Sequence, residues 1–249
     1  MATPDYPQHT GMEKVRGRIL RTLLMSDVHI GFKFSRAADA VKVLEKEKFD
    51  RLILIGDIFD IENMMRRPYW DEHHTKFLKK ILKIAKTKEV IYVIGNHDYP
   101  LFHLQEYTNK LAGLKLCRQY EYRSGEKRIL CVHGDQFDSV SHKLQVVGDF
   151  FYNLLLHFNG LVSKIRSLFG LKYWSISKWC KDRVKNTINK AFSIEDKLRH
   201  LDGADVVVYG HTHMPYISDD LVNTGTFVEI ATYVIEKDGE FRLKDLDKC

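Results

Sequence analysis

An aspartate and a histidine follow the first apolar run of the chain, LLMSDVHIGF at residues 23–32. Because alternate residues of an extended segment point the same way, Asp27 and His29 would place a carboxylate and an imidazole on one side of the backbone. Either a turn or a pair of metal ligands would account for these two residues. The pair alone does not separate the two interpretations, so the ends of the other apolar runs decide between them.

Four later apolar runs end in the same chemistry. Their last residues are Gly56-Asp57-Ile58-Phe59-Asp60, Gly95-Asn96-His97-Asp98, His133-Gly134-Asp135 and Gly210-His211-Thr212-His213. Ligands in open α/β sheets gather outside the carboxyl ends of the strands, so these side chains are predicted to converge in one cleft. The adjacent glycines let the backbone turn tightly at those positions.

The residue types indicate which chemistry such a cleft would perform. Carboxylates and neutral imidazoles together suit Mn, Fe or Zn, whereas oxygen ligands alone would suit Mg or Ca. One carboxylate can bridge two cations, and two cations about 3.5–4 Å apart can clamp a phosphate for attack by hydroxide. The alternative is five unrelated turns and helix caps, and the occurrence of all five in this order argues against it.

The elements that would position these residues alternate between strand and helix. Apolar runs at 19–25, 51–55 and 90–94 predict strands, and helical spacing at 36–48 and 71–86 predicts the helices between them. This β-α-β-α-β order predicts an α/β fold with a parallel sheet and right-handed crossovers.

The second half of the core is predicted to be rich in strands. Strands are expected at 115–123 and 127–134, joined by the turn Ser124-Gly125, and again at 205–213 and within 221–236.

Residues 139–200 differ from the rest of the chain. They have almost no strand signal, only two glycines after Gly148 and no proline, which predicts a helical insertion. The predicted organisation is therefore a loose leader at 1–18, a core formed by 19–138 and 201–249, and the insertion between the two core segments.

Composition excludes several classes of protein. The 249 residues are 44% hydrophobic and 29% charged, which is ordinary for a globular chain with a sizeable core. The four cysteines form no Cys-x-x-Cys pair and are expected to be reduced thiols. We find neither a signal-peptide pattern nor a run of about 18 apolar residues, so a cytoplasmic location is expected. The formal charge of +6 is compatible with an anionic partner.

The five motifs together resemble the calcineurin-like metallophosphoesterases. The matching segments are Asp27-x-His29, Gly56-Asp57-x-x-Asp60, Gly95-Asn96-His97-Asp98, His133 and Gly210-His211-x-His213. Each block of the family pattern is present, and the resemblance covers the chain outside the insertion. It implies a two-sheet αββα sandwich with a helical cap, in agreement with the predicted strand order.

The resemblance also implies a role for each matching residue. One divalent ion would be held by Asp27, His29 and His213. A second ion would be held by Asn96, His133 and His211, with Asp57 bridging the two. His97 would be the active-site acid that faces the leaving group, and Asp98 would orient it. Mn²⁺ is the expected ion, with Fe and Zn as alternatives.

The insertion carries the information about substrate. Residues 139–200 contain 11 Lys/Arg and 4 Asp/Glu, a difference of 11 − 4 = +7, and they are also rich in large apolar side chains. Cationic and apolar character together suits an amphiphile with phosphates and acyl chains, or an anionic membrane surface. The alternative is a solvated helical hairpin whose apolar face packs on the core.

The amino-acid sequence of the insertion and its flanks resembles the bacterial UDP-2,3-diacylglucosamine pyrophosphatase group. The segments are HGDQFDSVSHK, VGDFFYNLL, GLKYWSISKWCKDRVKNTINKAFSIED and VNTGTFVEIATYVIE. That group hydrolyses a lipid A precursor to UMP and 2,3-diacylglucosamine 1-phosphate. Carried over, the substrate would contact Tyr173, Ser177, Lys181, Arg183 and Lys185 in the cap. The best-studied branch of the group has arginine where this chain has His97.

Two other functions remain open at this point. A nuclease or nucleotide phosphodiesterase would use the same metals and could bind nucleic acid through the basic insertion. The apolar content of 150–169 disfavours nucleic acid. A non-catalytic scaffold of the same fold is the third class, but such proteins typically lack a ligand or the active-site histidine. The preferred interpretation is a dimetal phosphohydrolase acting on a lipid nucleotide at the inner face of the cytoplasmic membrane.

Overall fold

The computed structural model describes residues 19–105, 108, 110–137, 194–199, 201 and 203–248. Contacts divide the chain into two units, Met1–Gln136 together with Leu198–Cys249, and Phe137–Lys197. The strands and the candidate site described below belong to the first unit. The predicted leader at 1–18 and nearly all of the predicted insertion at 139–200 lie outside the described residues.

The described residues form the following helices and strands. The strands are β1 Arg21–Met25, β2 Arg51–Ile55, β3 Glu89–Val93, β4 Lys110–Leu111, β5 Leu114–Cys117, β6 Gln119–Ser124, β7 Lys127–Val132, β8 Val206–Tyr209, β9 Tyr216–Ile217, β10 Leu221–Asn223, β11 Thr232–Lys237 and β12 Glu240–Asp245. The α-helices are α1 Ala37–Lys46, α2 Ile61–Arg66, α3 Glu72–Ile84, α4 Pro100–Gln105 and α5 Ile194–Arg199. Asp135–Phe137 and Leu246–Lys248 form single 3₁₀ turns.

Within these residues the strands make two sheets. The first has the order β12-β11-β1-β2-β3-β5-β4, and β1, β2, β3 and β5 run parallel. The second has the order β6-β7-β8-β10-β9, and β7, β8 and β10 run parallel. The predicted parallel β-α-β-α-β segment is confirmed, and β11 and β12 extend the sheet antiparallel to β1.

Alternate residues of the central strands enter two different apolar layers. Leu23, Leu52 and Val90 pack with side chains from α1 and α3 on one face of the first sheet. Their neighbours Leu24 and Ile53 pack against the second sheet. Because both faces of these strands are covered, their sequences are continuous apolar runs, as expected for buried parallel strands.

Helices α1 and α3 each cover the first sheet with one apolar stripe. The buried positions of α3 are His74, Phe77, Ile81 and Ile84, which recur at helical spacing along one side. The Asp71 side chain caps this helix by accepting hydrogen bonds from the backbone N–H groups of His73 and His74. The described residues thus show a helical layer and both sheets of the predicted sandwich.

One predicted strand is divided between the two sheets. The segment 115–123 was expected to be continuous, but the chain leaves the first sheet after β5 and enters the second at β6. Arg118 lies at the crossing and is buried, and its guanidinium donates to the Ile94 carbonyl oxygen at 2.6 Å and pairs with Asp135 at 2.9 Å. Both halves bury alternate side chains, so the sequence pattern carries no sign of the crossing.

In the rest of the second sheet, β7, β8 and β10 fall within predicted strand segments, whereas β9 was not predicted. β6 and β7 form the predicted hairpin, with Ser124 as the last residue of β6 and the turn at Gly125 and Glu126, one residue later than predicted. In the part of the chain that the structure describes, no helix is long and apolar enough to cross a membrane.

Truncating the layer between the sheets should destabilise the protein strongly. Ile53 is 0% exposed, and Ile53→Ala should lower the free energy of unfolding by about 2–5 kcal/mol because it leaves a cavity. The matched control is Ile19→Ala, since Ile19 is 56% exposed and should change stability by less than about 0.5 kcal/mol. Urea unfolding followed by circular dichroism measures both; equal effects would contradict the two-layer arrangement.

Candidate metal centre

The site residues follow the carboxyl ends of parallel strands. Asp27 and His29 come after β1, Asp57 after β2, and His97 after β3 in the first sheet. His133 follows β7, and His211 and His213 follow β8 in the second sheet. Parallel strands end at one edge of their sheet, so these loops collect at the same edge.

Three groups of these side chains offer ligand atoms that lie within 4.8 Å of one another in each group. The groups are Asp27 with His29 and His213, Asp57 with His133 and His211, and His29 with Asp60 and His97. The structure therefore brings together most of the residues that the sequence assigned to metal ions, and it adds Asp60.

Each of the two central carboxylates uses one oxygen to hold the backbone of another loop. Asp27 and Asp57 are 0% and 2% exposed. Asp27 Oδ2 accepts from the His211 N–H at 3.1 Å, and Asp57 Oδ1 accepts from the His97 N–H at 2.9 Å. The other oxygens face imidazoles, with 3.1 Å from Asp27 Oδ1 to His213 Nε2 and 3.1 Å from Asp57 Oδ2 to His133 Nε2.

Four imidazoles turn their Nδ1 atoms towards an oxygen, and three of them, His97, His133 and His213, make a hydrogen bond there. His133 Nδ1 lies 2.9 Å from the Ile55 carbonyl oxygen, which can only accept, so Nδ1 must donate. The Nδ1 atoms of His213, His29 and His97 face carboxylates: Glu229 at 3.0 Å, and Asp60 at 3.4 Å and 3.0 Å respectively. This arrangement leaves Nε2 available, as is typical of metal-binding histidines, whose other ring nitrogen donates to an oxygen.

Several buried polar atoms in this cluster make no hydrogen bond. Among the described residues they include Asp27 Oδ1, both ring nitrogens of His29, and His133 Nε2. Buried polar atoms are rarely left without a partner, so an absent group that accepts their lone pairs fits here. A pair of divalent cations fits both these atoms and the donor set of carboxylates and imidazoles, which suits Mn, Fe or Zn.

The cluster also requires positive charge at its centre. Burial by itself would raise the pKa of Asp57, but the charges of His133 and His97 hold that pKa below its usual range. Burial would lower the pKa of His133, but Asp57 raises it to about 10. The carboxylates thus favour cations beside them, and metal ions can replace the protons of the imidazoles in that role.

Strained backbone marks the same positions. Five of the predicted ligands have left-handed backbone conformations, with φ between 52° and 60°: Asp27, His29, Asp57, His211 and His213. Each such conformation costs a non-glycine residue about 1–3 kcal/mol and persists only where the surroundings fix it. Their concentration in the ligand loops shows that these loops are built to aim side chains rather than to minimise backbone strain.

The glycines of the motifs leave room for the ligands. A Cβ atom at Gly56 would collide with the His133 ring, and one at Gly95 would collide with the Asp57 carboxylate. A Cβ atom at Gly210 would lie 2.6 Å from Asp27 Oδ2. Each of these three glycines therefore leaves space for a candidate metal ligand that follows a different strand.

Two residues that the sequence assigned to the site have other surroundings. Asn96 is exposed in the loop after β3, and its role as a ligand stays a prediction. Asp98 was expected to orient His97, but Asp60 makes that contact. The Asp98 carboxylate instead accepts from the Tyr92 hydroxyl at 2.6 Å and from the backbone N–H groups of Ile58 and Gly95.

Asp98 therefore fixes the loop that carries His97 rather than the ring itself. Burial, together with the nearby charge of Asp57, raises the pKa of Asp98 to about 6. By joining the loop after β3 to the loop after β2, this carboxylate keeps the His97 N–H in place to donate to Asp57.

Sequence reasoning missed two carboxylates of the site. Asp60 was quoted in its motif, and its spacing from Asp57 was the available signal, but no role was assigned to it. Glu229 lies between β10 and β11 without a neighbouring ligand motif, so no sequence pattern indicated its contact with His213. The predicted substrate contacts lie outside the described residues; they are Tyr173, Ser177, Lys181, Arg183 and Lys185.

The chain belongs to the calcineurin-like phosphoesterase family, whose sequence profile matches residues 20–215. It is accordingly a metal-dependent phosphoesterase, and the predicted resemblance is confirmed at the level of the family.

Individual relatives are more distant. The chain is 24% identical over 222 residues to the UDP-2,3-diacylglucosamine hydrolase of Coxiella burnetii, covering 81% of this chain and 84% of that protein. It is 24% identical over 202 residues to the enzyme of the same name from Blochmanniella pennsylvanica, covering 78% and 80%. Among solved structures, it is similar to Yfce, a phosphoesterase from E. coli, with a TM-score of 0.45, 16% identity and coverage of 86% and 87%.

Removing the Asp57 carboxylate should empty the site. Asp57→Ala is expected to lose most of the bound metal and nearly all activity, because this side chain faces His133 and holds the His97 backbone. Metal analysis after gel filtration measures the loss, and Asp219→Ala, which removes an exposed aspartate outside the cluster, should retain the full metal content. Two tightly bound ions per chain in Asp57→Ala protein would refute the bridging role.

Proposed function

We propose that this phosphoesterase hydrolyses the pyrophosphate of UDP-2,3-diacylglucosamine and releases UMP and 2,3-diacylglucosamine 1-phosphate. The observation that carries the phosphohydrolase chemistry is the cluster of imidazoles around two buried carboxylates, in which His97, His133 and His213 are each held at Nδ1 by an oxygen. The choice of substrate is supported by the named activity of the relatives, which span most of the chain, and by the cationic, apolar composition of the insertion.

Two divalent ions are proposed to occupy the cluster. Asp27, His29 and His213 would hold one ion, Asn96, His133 and His211 the other, and Asp57 would contact both. Mn²⁺ is the proposed ion, with Fe and Zn as alternatives. When bound, such a pair polarises the phosphoryl oxygens and makes water a nucleophile near neutral pH.

His97 is proposed to act on the leaving group. Asp60 accepts from its Nδ1, and the side chain is 30% exposed, so Nε2 can reach a bound substrate. A proton or hydrogen bond from Nε2 to the leaving phosphate oxygen would offset the charge that develops as the P–O bond breaks. Asp60 would stabilise the imidazolium form and keep the ring in one orientation.

Both the pyrophosphate and the acyl chains of the proposed substrate match features of the chain. The pyrophosphate suits a site made for phosphoryl oxygens, and the acyl chains suit the apolar side chains of the insertion. The +7 charge of that segment would also attract an anionic lipid surface, so we propose a peripheral position at the inner face of the cytoplasmic membrane.

Replacing His97 should slow the reaction without emptying the site. His97→Ala is expected to keep both ions and to lower turnover by about 10²–10⁴-fold, the usual scale for a positioned acid. The loss should shrink for nitrophenyl phosphodiesters, whose leaving group needs no proton. Single-turnover rates with parallel metal analysis measure both effects; loss of one ion in this variant would make His97 a ligand instead.

The substrate assignment is tested by product analysis and by a pair of lysines in the insertion. Purified protein with Mn²⁺ should release UMP from UDP-2,3-diacylglucosamine. Lys181 and Lys185 share one face if the segment is helical, and replacing both with alanine should raise KM for this substrate. Hydrolysis of bis-nitrophenyl phosphate should be nearly unchanged, because the remote contacts contribute only when the remote group is present.

The outcome that would overturn this assignment is specific. Cleavage of DNA or RNA that is lost in the double variant and falls steeply with salt, with no turnover of the lipid nucleotide, would identify a nuclease of the same fold.

A further inference from the structure

Glu229 is a buried carboxylate that contacts His213 on the side of the ring away from Asp27. It is 2% exposed, and its Oε2 atom lies 3.0 Å from His213 Nδ1. Burying a carboxylate is costly unless a donor compensates it, and the imidazole supplies such a donor. On the far side of the same ring, His213 Nε2 lies 3.1 Å from Asp27 Oδ1.

The loop that carries Glu229 is fastened to the turn that carries Asp27. The Phe227 N–H and the Thr226 hydroxyl both donate to the Asp27 carbonyl oxygen, at 3.0 Å and 3.2 Å. The Ser26 and Thr224 hydroxyls are hydrogen-bonded at 2.6 Å. These bonds fix the distance between Glu229 and Asp27, so the His213 ring is held between two carboxylates that belong to one rigid assembly.

We propose that Glu229 is a positioning residue for His213 and that it tunes only one of the two metal ions. By accepting from Nδ1–H, its carboxylate selects the tautomer in which the Nε2 lone pair faces the centre, and its negative charge makes that nitrogen a stronger donor. The ion affected is the one assigned to Asp27, His29 and His213.

His133, which is assigned to the other ion, has no carboxylate of the described residues at its Nδ1 atom. Its Nδ1 donates to the Ile55 carbonyl oxygen, which is neutral and belongs to β2. A backbone carbonyl orients the ring but adds no charge to it. His213 and His133 are therefore supported differently, and loss of the Glu229 charge should weaken binding only in the half that contains His213.

The test is metal binding, since this inference rests on the proposed metal site but not on the proposed lipid substrate. Glu229→Gln keeps the shape and an accepting oxygen while removing the charge. Calorimetric titration of metal-free protein with Mn²⁺ should show two binding events in the unchanged protein. In Glu229→Gln one of them should weaken by about 10–100-fold, and the other should stay the same.

A double-mutant cycle distinguishes action through His213 from a general loss of structure. In His213→Ala protein, Glu229→Gln should cause no further loss of Mn²⁺ affinity. In His133→Ala protein, which keeps the half of the site backed by Glu229, the same substitution should still weaken Mn²⁺ binding by its full factor. Glu236→Gln is the matched control, because Glu236 is also fully buried but accepts from Gly239 and Tyr122 away from the site.

Three results would overturn the proposal: unchanged Mn²⁺ affinity in Glu229→Gln, equal weakening of both events, or a full loss that persists in the His213→Ala background. If Glu229→Gln does not fold, Glu229→Asp replaces it, since the charge remains but its reach is shorter by one methylene; full affinity in that variant would be equally contradictory. Failure of the unchanged protein to bind two ions would instead refute the metal site itself.

Discussion

The structure depends on keeping two carboxylates, Asp27 and Asp57, ionised in its interior. Each gives one oxygen to a backbone N–H of a neighbouring loop and turns the other towards imidazoles. A pair of buried negative charges is stable only with cations beside it. Three features place positive charge beside these carboxylates. The histidines lie next to them, the candidate ligands have left-handed backbone conformations, and the neighbouring glycines leave space for the ligand side chains.

The two sheets supply the rigidity that this arrangement needs. β1, β2 and β3 are buried on both faces, so their ends cannot shift without disturbing an apolar layer on either side. The second sheet contributes His133, His211 and His213 from its own parallel strands. The metal centre is therefore assembled across the line where the two sheets meet, and Arg118 strengthens that line by joining the Ile94 carbonyl to Asp135.

The sequence predicted the features that depend on local pattern. It missed the features that depend on tertiary contacts between distant segments. Continuous apolar runs identified β1, β2 and β3, and the residues just beyond them include candidate ligands that the structure brings together. The crossing at Arg118 was missed because both sheets bury alternate side chains. The roles of Asp60 and Glu229 were missed because a carboxylate behind a histidine is recognisable only once the ring has a position, and that position is set by tertiary structure.

The hydrogen bond between Ser26 and Thr224 joins residues 198 positions apart, and β1 is completed by pairing with β11. During translation, the first ligand loop therefore emerges long before the segment that fastens it. At about 5–20 residues per second, it waits roughly 10–40 s on the ribosome. Until then Asp27 lacks the hydrogen bonds that Thr226 and Phe227 donate to its carbonyl oxygen, so in a nascent chain that ends before Thr224 the candidate ion site at Asp27 is incomplete. Completion of the candidate site at Asp27 is in this way deferred until the growing polypeptide has delivered residues 224–227.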